Sequence, residues 1–238
     1  MTKPPMTKPP MTKPNGIHHL AISTDNMKEQ LTFFTQVLGM ELVALYWMHG
    51  VEGAWHGFCR LNDQCSIAFV FTPGNKDAKA VIGQTHAGHG GGASAPGTMQ
   101  HLSLNVDTDE ELFAMRDRIR SHGVPVFGPA DHGMCKSIYF AGPEGQTLEV
   151  ATSPEPIDAR QWIDPEVVAL AGISEDELAA MKKPPAGPDS PVKQPAFDPT
   201  GYHMHYPEPI YRMMLQAPDE MMMARMSYTE PPVPLSPS

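Results

Sequence analysis

The chain has 238 residues, 17 of them basic and 27 acidic, so its net charge is −10 and its pI is about 5.5. An acidic chain without a basic cluster is not expected to bind nucleic acid, and no apolar run approaches the roughly 20 residues of a membrane span, so no membrane partner is expected either. Three cysteines without Cys-x-x-Cys spacing exclude a disulfide framework and a zinc ribbon and favour a cytoplasmic location.

Proline usage divides the chain into three parts. Residues 1–14 repeat the MTKPP unit and hold five prolines, residues 15–152 hold five, and residues 153–238 hold sixteen. Proline is avoided inside helices and strands. We therefore predict a folded block at 15–152, preceded by a disordered repeat at 1–14 and followed by an irregular Pro- and Met-rich C-terminal extension at 153–238.

The first half of the block, residues 15–72, is predicted to be one βαβββ module. Its helix has apolar residues at helical spacing, Leu31, Phe34 and Leu38, and is expected to end at Gly39. The helix is predicted over 26–37, and the four strands over 16–23, 40–47, 53–61 and 66–71.

A glycine-rich linker occupies residues 73–98 and contains the segment HAGHGGG. A long loop of this composition is either a mobile connector or the lid of a site, because lids and binding loops are the usual reason for long connections. The sequence leaves both interpretations open.

The second half, residues 99–152, repeats the first. Thr108 and Glu111 form the pattern of a capping box, and Gly123 is placed to end the helix. The helix is predicted over 109–122, and the strands over 99–106, 124–127, 135–140 and 147–152. The repeat predicts an α+β fold in which paired βαβββ modules form an open, cup-like mixed sheet with helices outside.

The C-terminal extension is predicted to contain short helices at 165–170 and 174–182, the second with a Ser174–Glu177 capping box. Eight of the seventeen methionines lie between Met181 and Met226. We expect this segment to pack across the domain or a partner subunit rather than to form its own core.

Alternation along the strands places three metal-binding side chains on one face of the predicted sheet. His19, His101 and Glu149 lie opposite the apolar residues that should meet the helices. Ala68 replaces the carboxylate in the first module, so the set has three ligands rather than four. Two histidines and one carboxylate suit Fe(II) with open positions, and Mn(II) or Zn(II) can use the same ligands.

The residues around these positions resemble the vicinal oxygen chelate superfamily. That group includes glyoxalase I, fosfomycin-resistance proteins, bleomycin-binding proteins and extradiol ring-cleavage dioxygenases. The resemblance covers residues 15–152 and implies that the three side chains hold the metal. It rests on the paired modules and on three segments: His-Leu-Ala-Ile at 19–22, His-Leu-Ser-Leu at 101–104 and Gly-Gln-Thr-Leu-Glu at 145–149.

Within the superfamily the second module is most similar to extradiol dioxygenases. The resemblance implies an Fe(II)-dependent enzyme that cleaves a catechol- or hydroquinone-like aromatic ring with O₂, as in the catabolism of aromatic compounds. Tyr139 would hydrogen-bond the substrate, and His132 would shuttle a proton. The signature is carried by His132, Ile138, Tyr139, Pro143, Gly145 and Glu149, with departures at Ala130 and Gly142.

Two alternatives to a dioxygenase stay open at this point. One is another metal-dependent, glyoxalase-like isomerase, lyase or thiol transferase, and the other is a non-catalytic small-molecule-binding protein. Extradiol enzymes also carry an acid–base histidine, for which the sequence offers His49, His56, His86 and His89 without distinguishing them. Small members of the superfamily commonly pair, some by exchanging modules, so a homo-oligomer is expected.

Overall fold

The computed structural model describes residues 13–235. They form two units, one spanning Gly16–Gly172 and one made of residues 13–15 and 173–235. Residues 1–12 of the predicted disordered repeat lie outside the described residues. Between residues 13 and 235 no helix is long and apolar enough to cross a membrane, and all three cysteines are free.

The first module has the predicted βαβββ order. Its strand order is β1-β4-β3-β2, with β1 parallel to β4 and the other neighbours antiparallel. Asn26 caps the helix by accepting a hydrogen bond from the Glu29 N–H, and Gly39, with φ of 81°, follows its end. The elements are β1 (His19–Ser23), α1 (Met27–Thr32) continued by a π-helical turn (Phe33–Val37), β2 (Glu41–Trp47), β3 (Trp55–Asn62) and β4 (Cys65–Phe71).

The second module repeats this topology, with strand order β5-β8-β7-β6. Thr108 caps its helix, since its hydroxyl accepts from the Glu111 N–H. The elements are β5 (Leu102–Asn105), α2 (Asp109–Ser121), β6 (Val126–Asp131), β7 (Lys136–Ala141) and β8 (Thr147–Thr152). The two mixed four-stranded sheets stay open, which confirms the predicted α+β class.

Strand β6 runs four residues beyond its predicted end at Phe127. The pairing with β7 shifts register between Phe127 and Ala130, so Gly128 and Pro129 form a bulge and the strand then resumes. Proline is tolerated at a bulge because it has no ladder hydrogen bond to donate there. The prediction ended the strand too early because the Gly-Pro pair resembles a turn.

One hydrophobic core serves both modules. It contains the helix-facing residues of both sheets, among them Ile22 and Phe69 from the first and Leu104 and Leu148 from the second. Arg118 on α2 also donates to the backbone carbonyls at the end of the first helix. The polar face of each sheet therefore lies opposite this shared core, and these two faces carry the predicted site residues.

The rest of the chain is helical in short pieces. Helices α3 (Ala159–Trp162) and α4 (Pro165–Leu170) complete the first unit, and the second unit contains α5 (Glu175–Lys182), α6 (Glu208–Gln216) and α7 (Asp219–Met226). Helices α4 and α5 match the predictions, with the Ser174 capping box formed. Helices α6 and α7 were not predicted, because the surrounding prolines favoured an irregular segment. Pro207 and Pro218 are their N-terminal caps, where proline does not break a helix.

Candidate metal and substrate site

His101 and Glu149 meet on the polar face of the second sheet. β8 runs parallel to β5 with Glu149 beside Ser103, and His101 stands just before β5 on the same face. The His101 Nε2 and a Glu149 carboxylate oxygen are 2.8 Å apart, and the Glu149 side chain is only 7% exposed. A carboxylate this buried needs a partner, and His101 provides it.

Gln100 fixes the other side of the His101 ring. Its side-chain carbonyl contacts the His101 Nδ1. Because an amide oxygen only accepts, Nδ1 carries a proton in this contact. Nε2 is then the nitrogen that faces Glu149. It hydrogen-bonds the carboxylate only when it also carries a proton, and a metal held by both side chains would replace that proton.

Tyr139 and His132 adjoin this pair. Tyr139 on β7 lies opposite Glu149 in register, and the His132 Nε2 is 2.9 Å from the Tyr139 hydroxyl. Burial raises the pKa of Tyr139, and the nearby Glu149 carboxylate adds to this, against a hydrogen bond with Ser137 that lowers it. The phenol therefore keeps its proton at neutral pH. Four of the five predicted site residues thus come together on one sheet face.

A cavity of about 980 Å³ opens in front of this cluster. Its lining includes the apolar residues Val126 and Phe127 and the linker segment Gly88–Gly91. A methyl group added at Gly90 would lie 3.5 Å from the Tyr139 ring, so the linker backbone runs directly over the tyrosine. Of the two interpretations of the linker, this position agrees with a cover over a site.

His19 lies on the polar face of the other sheet. Its Nδ1 is 2.9 Å from the Nδ1 of His18, and its ring contacts Phe58. Within residues 13–235 no three His, Cys, Asp or Glu side chains are close enough together to hold a metal ion. One chain therefore assembles His101 with Glu149 and does not bring His19 to them.

His56 is the candidate acid–base histidine that shares a sheet face with His19. It sits on β3 between Tyr46 and Phe58, and both of its ring nitrogens are buried without a hydrogen-bond partner. Burial lowers its pKa, and the nearby His19 lowers it further. His89, by contrast, belongs to the linker segment that lines the cavity on the second sheet. The sequence alone could not show which of the candidate histidines lies near which sheet face.

A protein-family model matches this chain over both modules. The model of the Glyoxalase/Bleomycin resistance protein/Dioxygenase superfamily matches residues 16–150. A comparison with curated proteins found no match.

Several solved structures are similar to part of this chain. A glyoxylase/bleomycin resistance protein/dioxygenase domain from Frankia sp. EAN1pec is 13% identical over 59% of this chain and 99% of that chain, with a TM-score of 0.47. TnmS3, an antibiotic-binding protein from Streptomyces sp. CB03234, is 17% identical over 60% and 98%, with a TM-score of 0.42. A variant of the fosfomycin resistance protein FosX from Listeria monocytogenes, complexed with Mn(II) and 1S,2S-dihydroxypropylphosphonic acid, is 15% identical over 63% and 99%, with a TM-score of 0.43.

Proposed function

Since the chain belongs to the Glyoxalase/Bleomycin resistance protein/Dioxygenase superfamily, we propose that it is an Fe(II)-dependent extradiol-type dioxygenase. Its substrates are O₂ and a catechol- or hydroquinone-like aromatic ring. The observation that carries the proposal is the cluster of His101 with Glu149 and of Tyr139 with His132 at one cavity.

The donor atoms fit a divalent metal. An imidazole nitrogen and a carboxylate oxygen converge at 2.8 Å, and these donors suit Fe(II) as well as Mn(II) and Zn(II). The third ligand is His19 of a second copy of this chain, because His19 of the same chain stands on the other sheet. Bound there, Fe(II) would supply Lewis acidity and redox chemistry to the substrate.

The surrounding residues bind and orient the substrate. The protonated Tyr139 hydroxyl is placed to donate its one proton in a hydrogen bond to a substrate oxygen, while the His132 Nε2–H donates to the Tyr139 oxygen. If Tyr139 gives its proton to the substrate, His132 can replace it and later take it back. Phe127 and the linker segment line the cavity and would pack against the bound ring.

The character of the cavity favours a neutral aromatic substrate. Among the described residues that line it there is no lysine or arginine, and its wall includes Pro125, Val126 and Phe127. A phosphonate or another strongly anionic substrate would leave its charge unpaired there. The lining therefore supports the proposal of a ring-cleaving enzyme over a transferase acting on phosphonates.

The experiment is metal analysis of protein purified without oxygen, followed by oxygen uptake with a panel of catechols and hydroquinones. We expect one iron per site, oxygen consumption and a yellow ring-fission product. Glu149→Gln should lose both metal and oxygen uptake, whereas Glu155→Gln, an exposed carboxylate changed in the same way, should keep them.

Other results would replace the proposal. Turnover without O₂ on Mn(II) or Zn(II) would identify a glyoxalase-like isomerase, lyase or thiol transferase. Tight binding of an aromatic ligand by metal-free protein, with no turnover under any metal, would identify a small-molecule-binding protein.

We also propose an assembly state and a compartment for the protein. A metal centre that draws His19 from a second copy requires a homo-oligomer. Three free cysteines agree with the reducing cytoplasm.

A further inference from the structure

Gln100 contacts two different parts of the site with the two ends of its amide. Its carbonyl oxygen contacts the His101 Nδ1. Its amide nitrogen donates to three backbone carbonyls of the glycine-rich linker, at 3.3 Å to His89, 2.9 Å to Gly90 and 3.2 Å to Gly92. One side chain therefore ties the linker backbone to the ring of the proposed metal ligand.

Gln100 holds linker segment 88–92 through these three hydrogen bonds, so a shift of the segment would displace the Gln100 amide. A methyl group at Gly92 would come within 2.0 Å of the Ala87 carbonyl oxygen, so the loop is folded tightly on itself. A methyl group at Gly91 would meet only the His89 ring, at an ordinary distance of 3.8 Å. The same segment forms one wall of the cavity beside Tyr139. A molecule bound in the cavity beside Tyr139 would therefore contact the segment that Gln100 holds.

We propose that Gln100 is a positioning residue that couples the glycine-rich cover over the cavity to the orientation of His101. When an aromatic molecule moves the cover, the Gln100 amide moves with it and reorients the His101 ring. The metal site then responds to occupancy of the cavity. This coupling rests on the proposed function, in which His101 is a metal ligand. It adds a link between the linker and the ligand that the three proposed ligands alone do not provide.

The test is a double-variant cycle on Co(II) affinity, measured with Co(II) alone from its visible absorption. Gly92→Ala forces the cover to shift, and Gln100→Ala cuts its tie to His101. Losing the outer partner of a metal ligand typically costs about 10- to 100-fold in affinity, so each single variant should weaken Co(II) binding by about tenfold or more. The double variant should be no weaker than Gln100→Ala. Gly74→Ala is the matched control, because a methyl group at this linker position outside the cavity lining meets nothing within 4 Å, and it should bind like the unaltered protein.

A second variant separates the two ends of the amide. Gln100→Glu keeps an oxygen acceptor for the His101 Nδ1. It replaces the amide nitrogen that donates to the linker carbonyls with a second oxygen, which cannot donate. Co(II) affinity should be retained, while hydrogen exchange at the Gly92 amide, measured on metal-free protein, should become faster than in the unaltered protein.

Three results would overturn the coupling. The first is that the effects of Gly92→Ala and Gln100→Ala multiply independently in the double variant. The second is unchanged Gly92 exchange in Gln100→Glu, and the third is an equal loss of affinity in Gly74→Ala. If the unaltered protein binds no Co(II), the proposed function fails, and the exchange measurement still decides whether Gln100 holds the cover.

Discussion

Glu144 joins the two modules through a single side chain. It lies in the turn between β7 and β8 with φ of 54°, a left-handed conformation that residues other than glycine rarely adopt. Its carboxylate accepts hydrogen bonds at the start of α1, including one of 2.6 Å from the fully buried Gln30 amide. The Gln30 carbonyl in turn accepts from Gln146. The strained backbone is kept because it places this carboxylate between the modules.

The protonation of Glu144 should therefore affect stability. Partial burial is the largest single influence and raises the pKa of this carboxyl, but hydrogen bonds together outweigh it and hold the pKa below its ordinary value. The donors are the side chains of Gln30 and Thr24 and the backbone N–H groups of Asp25 and Asn26. A lowered folded pKa means that the stabilisation is fully present above the ordinary glutamate pKa of about 4.3. It is lost as the pH falls through the folded pKa.

We predict that Glu144→Gln weakens the dependence of the unfolding free energy on pH at acid pH. The unfolding free energy of the unaltered protein, measured with urea, should fall more steeply between about pH 5 and pH 3 than that of the variant. Glu166→Gln, which changes an exposed carboxylate, is the control and should leave the slope unchanged. Parallel acid limbs for Glu144→Gln and the unaltered protein would contradict the assigned hydrogen bonds.

Tyr139 should act on turnover and not on metal retention. Its hydroxyl contacts His132 and faces the cavity, whereas the proposed ligand pair is His101 with Glu149. Removing one hydrogen-bond donor to a reacting oxygen typically costs about 10²-fold in kcat. Tyr139→Phe is therefore expected to lower kcat for a catechol by about that factor and to keep its iron content. Loss of iron in this variant would instead make Tyr139 part of the metal site.

At the scale of elements, a glycine sets the distance between a helix and its sheet. Gly57 on β3 faces α1, and a methyl group there would lie 2.9 Å from the Met27 sulfur and 3.0 Å from a Leu31 methyl. Glycine weakens a strand, so its presence at this position is explained by the close approach of α1.

Gly57→Val should destabilise the protein although valine is a better strand residue than glycine. Overpacking a filled core costs about 1–3 kcal/mol, which exceeds the gain in strand preference. Gly74→Ala, where an added methyl group meets nothing within 4 Å, is the control. Chemical denaturation of both variants measures the difference, and a Gly57→Val protein as stable as the control would show that the helix can move away freely.

At the scale of the whole molecule, the proposed metal centre is divided between two sheet faces. His19 is on the first sheet, His101 and Glu149 are on the second, and within residues 13–235 the three do not form one group. A closed two-fold dimer would place the first face of one copy against the second face of the other and would complete two equal sites.

Mixing two inactive variants tests this division. His19→Ala and His101→Ala should each bind little iron alone, because each removes a ligand from every site. Coexpressed in equal amounts, they should recover about one quarter of the metal of the unaltered protein, since half of the randomly paired dimers are mixed and each has one intact site. No recovery in the mixture, together with a monomer by light scattering, would place all three ligands in one chain.

Much of the fold followed from local chemistry. The apolar periodicity around Phe34, the capping box at Thr108 and the glycines that end both helices predict two βαβββ modules, and the structure has both. Alternation along β8 also placed Glu149 on the polar face, where it meets His101 and adjoins Tyr139. These features depend on neighbours within a strand, a helix or one module, and such short-range rules can be read from the chain.

Other features depend on how separate elements pack. Periodicity gives the face of a strand but not the distance between two sheets, so it could not show that His19 stands apart from His101 and Glu149. Gln100 carried no signal of its own, because its role comes from a linker that folds back over the second sheet. The sequence by itself determined the modules and the strand faces on which the proposed ligands lie. The tertiary structure decided which ligands meet, because the shared core fixes the two sheets relative to each other.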